Sequence, residues 1–402
     1  MPVLLPKEFK QASEIIEQIE HYGYEAYFVG GCVRDLLLER KVGDIDIATS
    51  AEPHVSQEIF EKVIPVGLEH GTVIVRHKHQ SYEVTTFRVD DDYSDQRHPD
   101  SVKFVKTIKQ DLKRRDFTIN ALAMGKNGNI IDPFSGKKNL KNNLIKAVGD
   151  ASDRFKEDPL RIMRALRFSS QLGFSLEAKT LDAMESVVNE IETITMERIV
   201  QETSKFFSGV YVKNGLYYFR KINITKYLPI LKKNPYIIDR LPANIKPLNA
   251  FASVIAMLHF IEPDVAIRDW VKQWKCSNMI KSEAENIYEA LLTYQLDGLN
   301  RWLVYRLHGC NYRDFTALVN MLFREKLTNE KVKQIRNSLP IESKKDLTIN
   351  GTDLLELFPG KTPGHWMGET LDQIEKEVVL GNLSNRKNVL KEWMKWNLHE
   401  TD

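Results

Sequence analysis

Near residue 150 the hydrophobic pattern of this chain changes period, and that change limits the architectures open to it. Before it, helical and strand patterns alternate. Phe9, Ala12, Ile15, Ile16 and Ile19 form a helical stripe over residues 9–21, Gly23 ends it, and residues 24–29 read as a strand. Gly30-Gly31 opens a second helix carrying Leu36, Leu37 and Leu38, and residues 44–48 give another strand. A helix starts within residues 50–53. Residues 72–76 and 82–87 then alternate as two strands around a polar turn at Lys78-His79-Gln80. Beyond the change the strand signals disappear. Helical patterns dominate from Glu157 onward, broken by Gly173 and by prolines such as Pro229, Pro247, Pro340 and Pro363. No repeat of fixed period is present. The expected fold is an α/β head, a mixed sheet with helices, followed by an elongated all-α remainder.

Charge follows the same division. The chain has 57 basic and 55 acidic side chains, a net charge of +2, with 42% hydrophobic residues, which excludes disordered and collagen-like classes. Residues 1–100 hold 10 Lys/Arg against 19 Asp/Glu, so residues 101–402 carry +11. Residues 201–250 alone contain nine Lys/Arg and two acids, interleaved with Phe206, Phe207, Tyr211, Tyr217, Tyr218, Phe219, Tyr227 and Tyr236. An acidic front on a basic, ring-rich rear implies a polyanionic partner, although rings in a helical core with lysines in water would read the same residue by residue. Cys32, Cys276 and Cys310 are widely spaced and unpaired in pattern, so neither a disulfide nor a zinc site is expected. The first residues lack a signal-peptide layout, and the most apolar stretch, residues 251–258, is too short to span a bilayer. A cytoplasmic protein without membrane contact is the expectation.

Two short segments carry chemistry. Gly30-Gly31-Cys32-Val33-Arg34 lies where a strand hands over to a helix, so a phosphate can approach backbone N–H groups and Arg34 can add a charge-assisted bond; a plain tight turn is the alternative. Ten residues on, in Gly43-Asp44-Ile45-Asp46-Ile47, strand alternation puts Asp44 and Asp46 on one face and the isoleucines in the core. Two carboxylates on one face of a half-buried strand call for a divalent cation; a surface strand would carry them harmlessly.

This combination resembles the polymerase-β-type nucleotidyltransferase superfamily. The resemblance implies magnesium held by Asp44 and Asp46, serving an in-line attack of a 3′-hydroxyl on a nucleotide α-phosphate with loss of pyrophosphate. Glu83 is the candidate third carboxylate, with an exposed hairpin position as its alternative. Two later segments, Arg114-Arg115-Asp116-Phe117-Thr118-Ile119-Asn120-Ala121 and Glu157-Asp158-Pro159-Leu160-Arg161-Ile162-Met163-Arg164-Ala165-Leu166-Arg167-Phe168, are similar to motifs of the class II tRNA nucleotidyltransferase and bacterial poly(A) polymerase family. Asp132-Pro133-Phe134-Ser135-Gly136 and Met196-Glu197-Arg198-Ile199 resemble two more. The family pattern implies a catalytic head (1–148), a helical neck that holds the incoming base (149–208), a body (209–300) and a tRNA-binding tail (301–402).

Asp158 and Arg161, expected one helical turn apart, can accept from the exocyclic amino group and donate to the ring nitrogen of cytosine or adenine, admitting CTP and ATP and rejecting UTP and GTP. By resemblance Arg164 and Arg167 hold that pair and contact base or phosphate, Arg115 binds the triphosphate, and Gly30, Gly31 and Arg34 complete the nucleotide site. Residues 66–73 look like the form that adds CCA rather than poly(A), and residues 88–99 supply a polar loop of the kind needed for the final adenosine. Full CCA addition to tRNA is the expectation, with no protein partner evident. The alternatives are A-adding, CC-adding or poly(A) polymerase activity, or a noncatalytic RNA-binding protein, which would be expected to have lost Asp44 or Asp46.

Overall fold

The computed structural model describes residues 3–90 and 102–398, and the chain divides into two compact units, Met1–Asp239 and Arg240–Asp402. The first unit begins with α1 (Lys7–His21), β1 (Ala26–Val29), α2 (Gly31–Leu37), β2 (Asp46–Thr49), α3 (Pro53–Ile59), β3 (Val63–Gly67), β4 (Thr72–His77) and β5 (Gln80–Thr86). There follow β6 (Arg88–Asp90), β7 (Val102–Phe104), α4 (Ile108–Lys113), β8 (Ala123–Met124) and β9 (Ile130–Ile131). Seven strands form one mixed sheet in the order β3-β4-β5-β2-β1-β8-β9, in which only β2 and β5 run parallel.

The expected stripe of α1 is its buried face: Phe9, Ala12, Ile15, Ile16 and Ile19 are fully covered, and Phe9 meets Phe28 of β1 edge-on at 5.0 Å. The hairpin between β4 and β5 is tighter than its sequence implies. Lys78 and His79 both adopt left-handed φ, 47° and 64°, which lets a two-residue turn follow the strand twist, so Gln80 already pairs with His77. β3 has no expected counterpart. It is an edge strand with Ile64, Pro65 and Val66 exposed, so its pattern lacks the alternation that marks a half-buried strand. β6 and β7 pair with each other at the base of the polar loop, whose residues 91–99 lie outside the described residues.

The first unit continues with α5 (Gly136–Lys141), β10 (Leu144–Ile145), α6 (Ala151–Glu157), α7 (Leu160–Leu172), β11 (Ser175–Leu176), α8 (Ala178–Val187), α9 (Met196–Phe207) and α10 (Val212–Lys221). One strand therefore lies beyond residue 150: β11 pairs parallel with β10, each of two residues, too short to show a period. A second difference bears on the site. Asp158 does not share a helix with Arg161, Arg164 and Arg167; it is extended (φ −143°, ψ 96°) between α6 and α7. Pro159 excludes the helical conformation from the residue before it, and this local rule outweighs the continuous charge pattern.

The second unit is helical. Helix Phe251–Ile261 buries its first eight residues, and Asp314 accepts hydrogen bonds from the backbone N–H groups of Asn249 and Ala250 just ahead of it. Helices Gly351–Leu357, His365–Leu380 and Lys387–Leu398 close around Leu354, Ile374, Val378, Val379, Leu390 and Met394. Of the ring-rich segment, Phe206, Phe207, Tyr218 and Phe219 are core, whereas Tyr211, Tyr217 and Tyr236 are exposed. Among the described residues no helix is long and apolar enough to cross a membrane.

Candidate active site

The parallel pairing of β2 with β5 sets Asp46 directly opposite Glu83. Ile45 and Ile47 point inward as expected, but the strand starts at Asp46, leaving Asp44 on the exposed approach to it. Burial, and then the neighbouring carboxylates of Glu83 and Asp44, push the Asp46 carboxyl up to about 6, with Arg115 opposing them. This end of the site carries more negative charge than the protein neutralises. It lacks a closed cage: among the described residues no group of three or more His, Cys, Asp or Glu side chains is placed to hold a metal ion. A few carboxylates on a strand face suit a cation that keeps water and substrate oxygens in its shell, as magnesium does. The residues present therefore fit the expected metal.

Gly30 joins β1 to α2 at φ 70°, ψ −127°, a conformation open to glycine, and a side chain there would lie 2.7 Å from the Arg115 guanidinium. In this structure the glycine turn thus receives a guanidinium. Gly31 leaves room beside Arg34, whose nearest nitrogen would lie 3.8 Å from a Cβ.

Both features open on a cavity of about 890 Å³ within the first unit. Its wall contains Asp46, Glu83, Asp116 and Asp158 together with Arg34, Arg88, Arg114, Arg115, Arg161, Arg164, Arg167 and Arg198. Among the described residues, eight guanidiniums against four carboxylates line this wall, a balance that favours an anionic occupant. Arg34 is held bidentate by Asp35 at 2.9 Å and donates to Asn120 at 2.7 Å. Asn120 donates to Asp116, and Asp116 accepts from the Phe117 amide and from Arg164 at 2.8 Å. Burial alone would raise Asp116, but the Arg164 charge and these donors outweigh it and hold the carboxyl at about 2. Buried Asp111 binds Arg114 and Arg115, and Arg167 Nε lies 2.8 Å from Glu202.

The sequence of the first unit matches the model of the poly A polymerase head domain over residues 26–146, and residues 173–234 match a probable RNA- and SrmB-binding site of polymerase A. Residues 249–394 match a putative tRNA nucleotidyltransferase domain 2. The CCA-adding enzyme of Oceanobacillus iheyensis is 44% identical across 97% of this chain and 98% of its own length. This chain belongs to the CCA-adding enzyme family. The CCA-adding enzyme of Bacillus mycoides is 41% identical over 96% of this chain and 98% of its own. The crystal structure of the Bacillus stearothermophilus CCA-adding enzyme in complex with CTP superposes with a TM-score of 0.87 at 36% identity, covering 98% of this chain and 99% of that one. Membership of a nucleotidyltransferase family implies use of a divalent metal.

The family motifs bring Gly30, Gly31, Arg34, Asp46, Arg115, Asp158, Arg161, Arg164 and Arg167 to one wall, while Asp44 sits outside it. The partners of Asp158 and Arg161 differ from those expected. Asp158 is gripped by Arg198 at 3.1 Å, and Arg161, itself buried, by Glu157 at 2.8 Å, whereas Arg164 and Arg167 are engaged by Asp116 and Glu202. The reason is the break in the chain: Glu157 ends α6 and meets Arg161 of α7 across the extended Asp158, while α9 packs on α7 and presents Arg198 and Glu202, four residues apart, on one side. Arg198 lies in a quoted motif, yet only its packing against α7 reveals it as a wall residue.

Proposed function

We propose that this chain adds C, C and A to the 3′ end of tRNA, and restores incomplete ends, using CTP and ATP. The reading is carried by one cavity that sets a negative strand end, Asp46 with Glu83, against a wall of eight arginines. Family membership at 44% identity over nearly the whole chain supports it, and the CTP complex of the 36% identical relative supports CTP as a ligand. Asp44 and Asp46 are the proposed ligands of magnesium, with Glu83 opposite Asp46 on the adjacent strand adding negative charge. Magnesium there would lower the pKa of the attacking hydroxyl and neutralise charge on the departing pyrophosphate. In this reading Arg115, held by Asp111 beside Gly30, takes triphosphate oxygens together with Arg34.

Base choice falls to Asp158 and Arg161 in this reading. Both are already oriented by neighbours: Arg198 holds the carboxylate, while Glu157 and the carbonyls of Arg154 and Arg114 hold the guanidinium. Pre-orientation of this kind lets two side chains present one donor and acceptor pattern, as a template base would. Residues 1–148 are the proposed head, 149–208 the neck, 209–300 the body and 301–402 the tail, with the basic segment 201–250 gripping tRNA phosphates in the cytoplasm.

The deciding experiment incubates tRNA ending at the discriminator base with each labelled nucleotide alone and combined, followed by sequencing of the ends. Ends extended to CCA are expected. Long adenosine tails, or arrest after two cytidines, would replace this reading with one of its relatives.

A further inference from the structure

We propose that Phe168 is a positioning residue that fixes the spacing of the phosphate-facing arginines across two separate helices. Phe168 lies on α7, is 4% exposed and forms part of the cavity wall. Three guanidinium carbons surround its ring: Arg167 at 4.3 Å from the centroid, Arg34 at 5.2 Å and Arg164 at 5.6 Å. Arg164 reaches the ring because it stands four residues back on the same helix face. Arg34 comes from α2, so the ring is a meeting point of the glycine turn and the arginine helix.

Each of these cations has one acidic partner: Asp35 for Arg34, Asp116 for Arg164 and Glu202 for Arg167. Asp35 and Asn120 hold Arg34 from two sides, and a single Asp116 oxygen takes two nitrogens of Arg164, whereas Arg167 Nε and Glu202 stand 2.8 Å apart without an aligned hydrogen bond, so Arg167 is the least constrained of the three. The negative face of an aromatic ring attracts a cation and supplies the missing constraint. The ring itself is anchored, since Phe117 meets it edge-on at 5.8 Å and Phe117 in turn packs against Phe155. The three cations would otherwise move apart. Arg167 is lowered to about 10, by burial first, with Arg164 and Arg34 adding to the effect against the pull of Glu202. Nothing in this cluster distinguishes one base from another, so its loss should affect CTP and ATP alike.

The inference rests on the reading that the cavity holds a nucleoside triphosphate. Its test is steady-state addition to tRNA by Phe168→Leu, Phe168→Met and Phe168→Tyr, with CTP and ATP varied separately. Leucine is expected to raise KM for both nucleotides by about fivefold to tenfold, with kcat and the KM for tRNA within about twofold of wild type. Tyrosine, which keeps the ring, is expected to restore both values. Methionine keeps the packed volume without the ring and should behave as leucine does, which covers a leucine variant that fails to fold. Unchanged nucleotide KM in the leucine or methionine protein overturns the inference, as does a tyrosine variant no better than leucine. Wild-type protein that extends tRNA with neither nucleotide would instead overturn the functional reading on which the inference stands.

Discussion

Asp46 and Asp116 line the same cavity, and their carboxyl groups are driven in opposite directions. Asp46, at the strand end, is raised to about 6 because burial and two neighbouring carboxylates act on it while only Arg115 opposes. Asp116, at the helical end, is more deeply buried yet falls to about 2, since Arg164, Asn120 and the Phe117 amide all favour its charged form. Burial therefore does not decide the outcome; what the surroundings supply does. The helical end is complete as a set of protein charges. The strand end keeps its carboxylates in excess, which is the charge the proposed magnesium would meet.

That contrast is broken most severely at Asp46. Asp46→Ala should abolish every addition, a loss of at least about a thousandfold for a site that relies on metal-stabilised transfer, read as labelled nucleotide incorporated per minute with magnesium present. Measurable incorporation would remove Asp46 from the metal site. The same protein should fold normally, because the substitution relieves repulsion with Glu83 and Asp44. At the helical end the signs reverse. Asp116→Ala leaves Arg164, whose side chain is 34% exposed, without its partner, and the loss should fall below that of a fully buried pair, about 3–5 kcal/mol; chemical denaturation should show this, and wild-type stability would contradict the charge-completion argument.

Much of the strand end was legible in the sequence. Alternation about Ile45 and Ile47, together with a glycine pair at a strand-to-helix turn, depends on neighbours in sequence, and local rules reach that far. The match of Asp46 with Glu83 was a guess from sequence, because strand register between β2 and β5 is a long-range property. The helical end was legible in residue type and wrong in partnership. Arg161, Arg164 and Arg167 were found by their spacing and do share α7, but Pro159 turned Asp158 out of that helix, and the acids that receive the arginines come from 35 or more residues away or from the preceding helix. Asn120 entered only as a member of a quoted motif, without a role, and Glu202 carried no signal, since a lone buried carboxylate reads as ordinary helix composition until its partner is in place.

A smaller effect is expected at Asp158, the proposed acceptor in base choice. Asp158→Ala removes the acceptor for the exocyclic amino group, and discrimination against UTP should fall by about tenfold, the range of one hydrogen-bonded base contact, while tRNA affinity stays near wild type. Competition of UTP with CTP in single-nucleotide addition measures it. Unchanged discrimination would show that Arg198 grips Asp158 for structural reasons alone.

The smallest effect separates the two ends by pH without any mutation. The folded pKa of Asp46 is raised from an ordinary 3.8 to about 6, so proton uptake favours the folded metal-free protein; this contribution is fully present below 3.8 and is lost as pH rises through about 6. The contribution of Asp116 runs the other way, present above 3.8 and lost only as pH falls through about 2. Between pH 5 and 8, then, Asp46 titrates and Asp116 does not. Protons and magnesium compete for the same oxygens, so the rise in melting temperature on adding magnesium should shrink below about pH 6 and approach its plateau by pH 8. Asp46→Asn should flatten that profile, whereas a magnesium-induced shift equal at pH 5 and pH 8 would mean that the strand end is not where the ion binds.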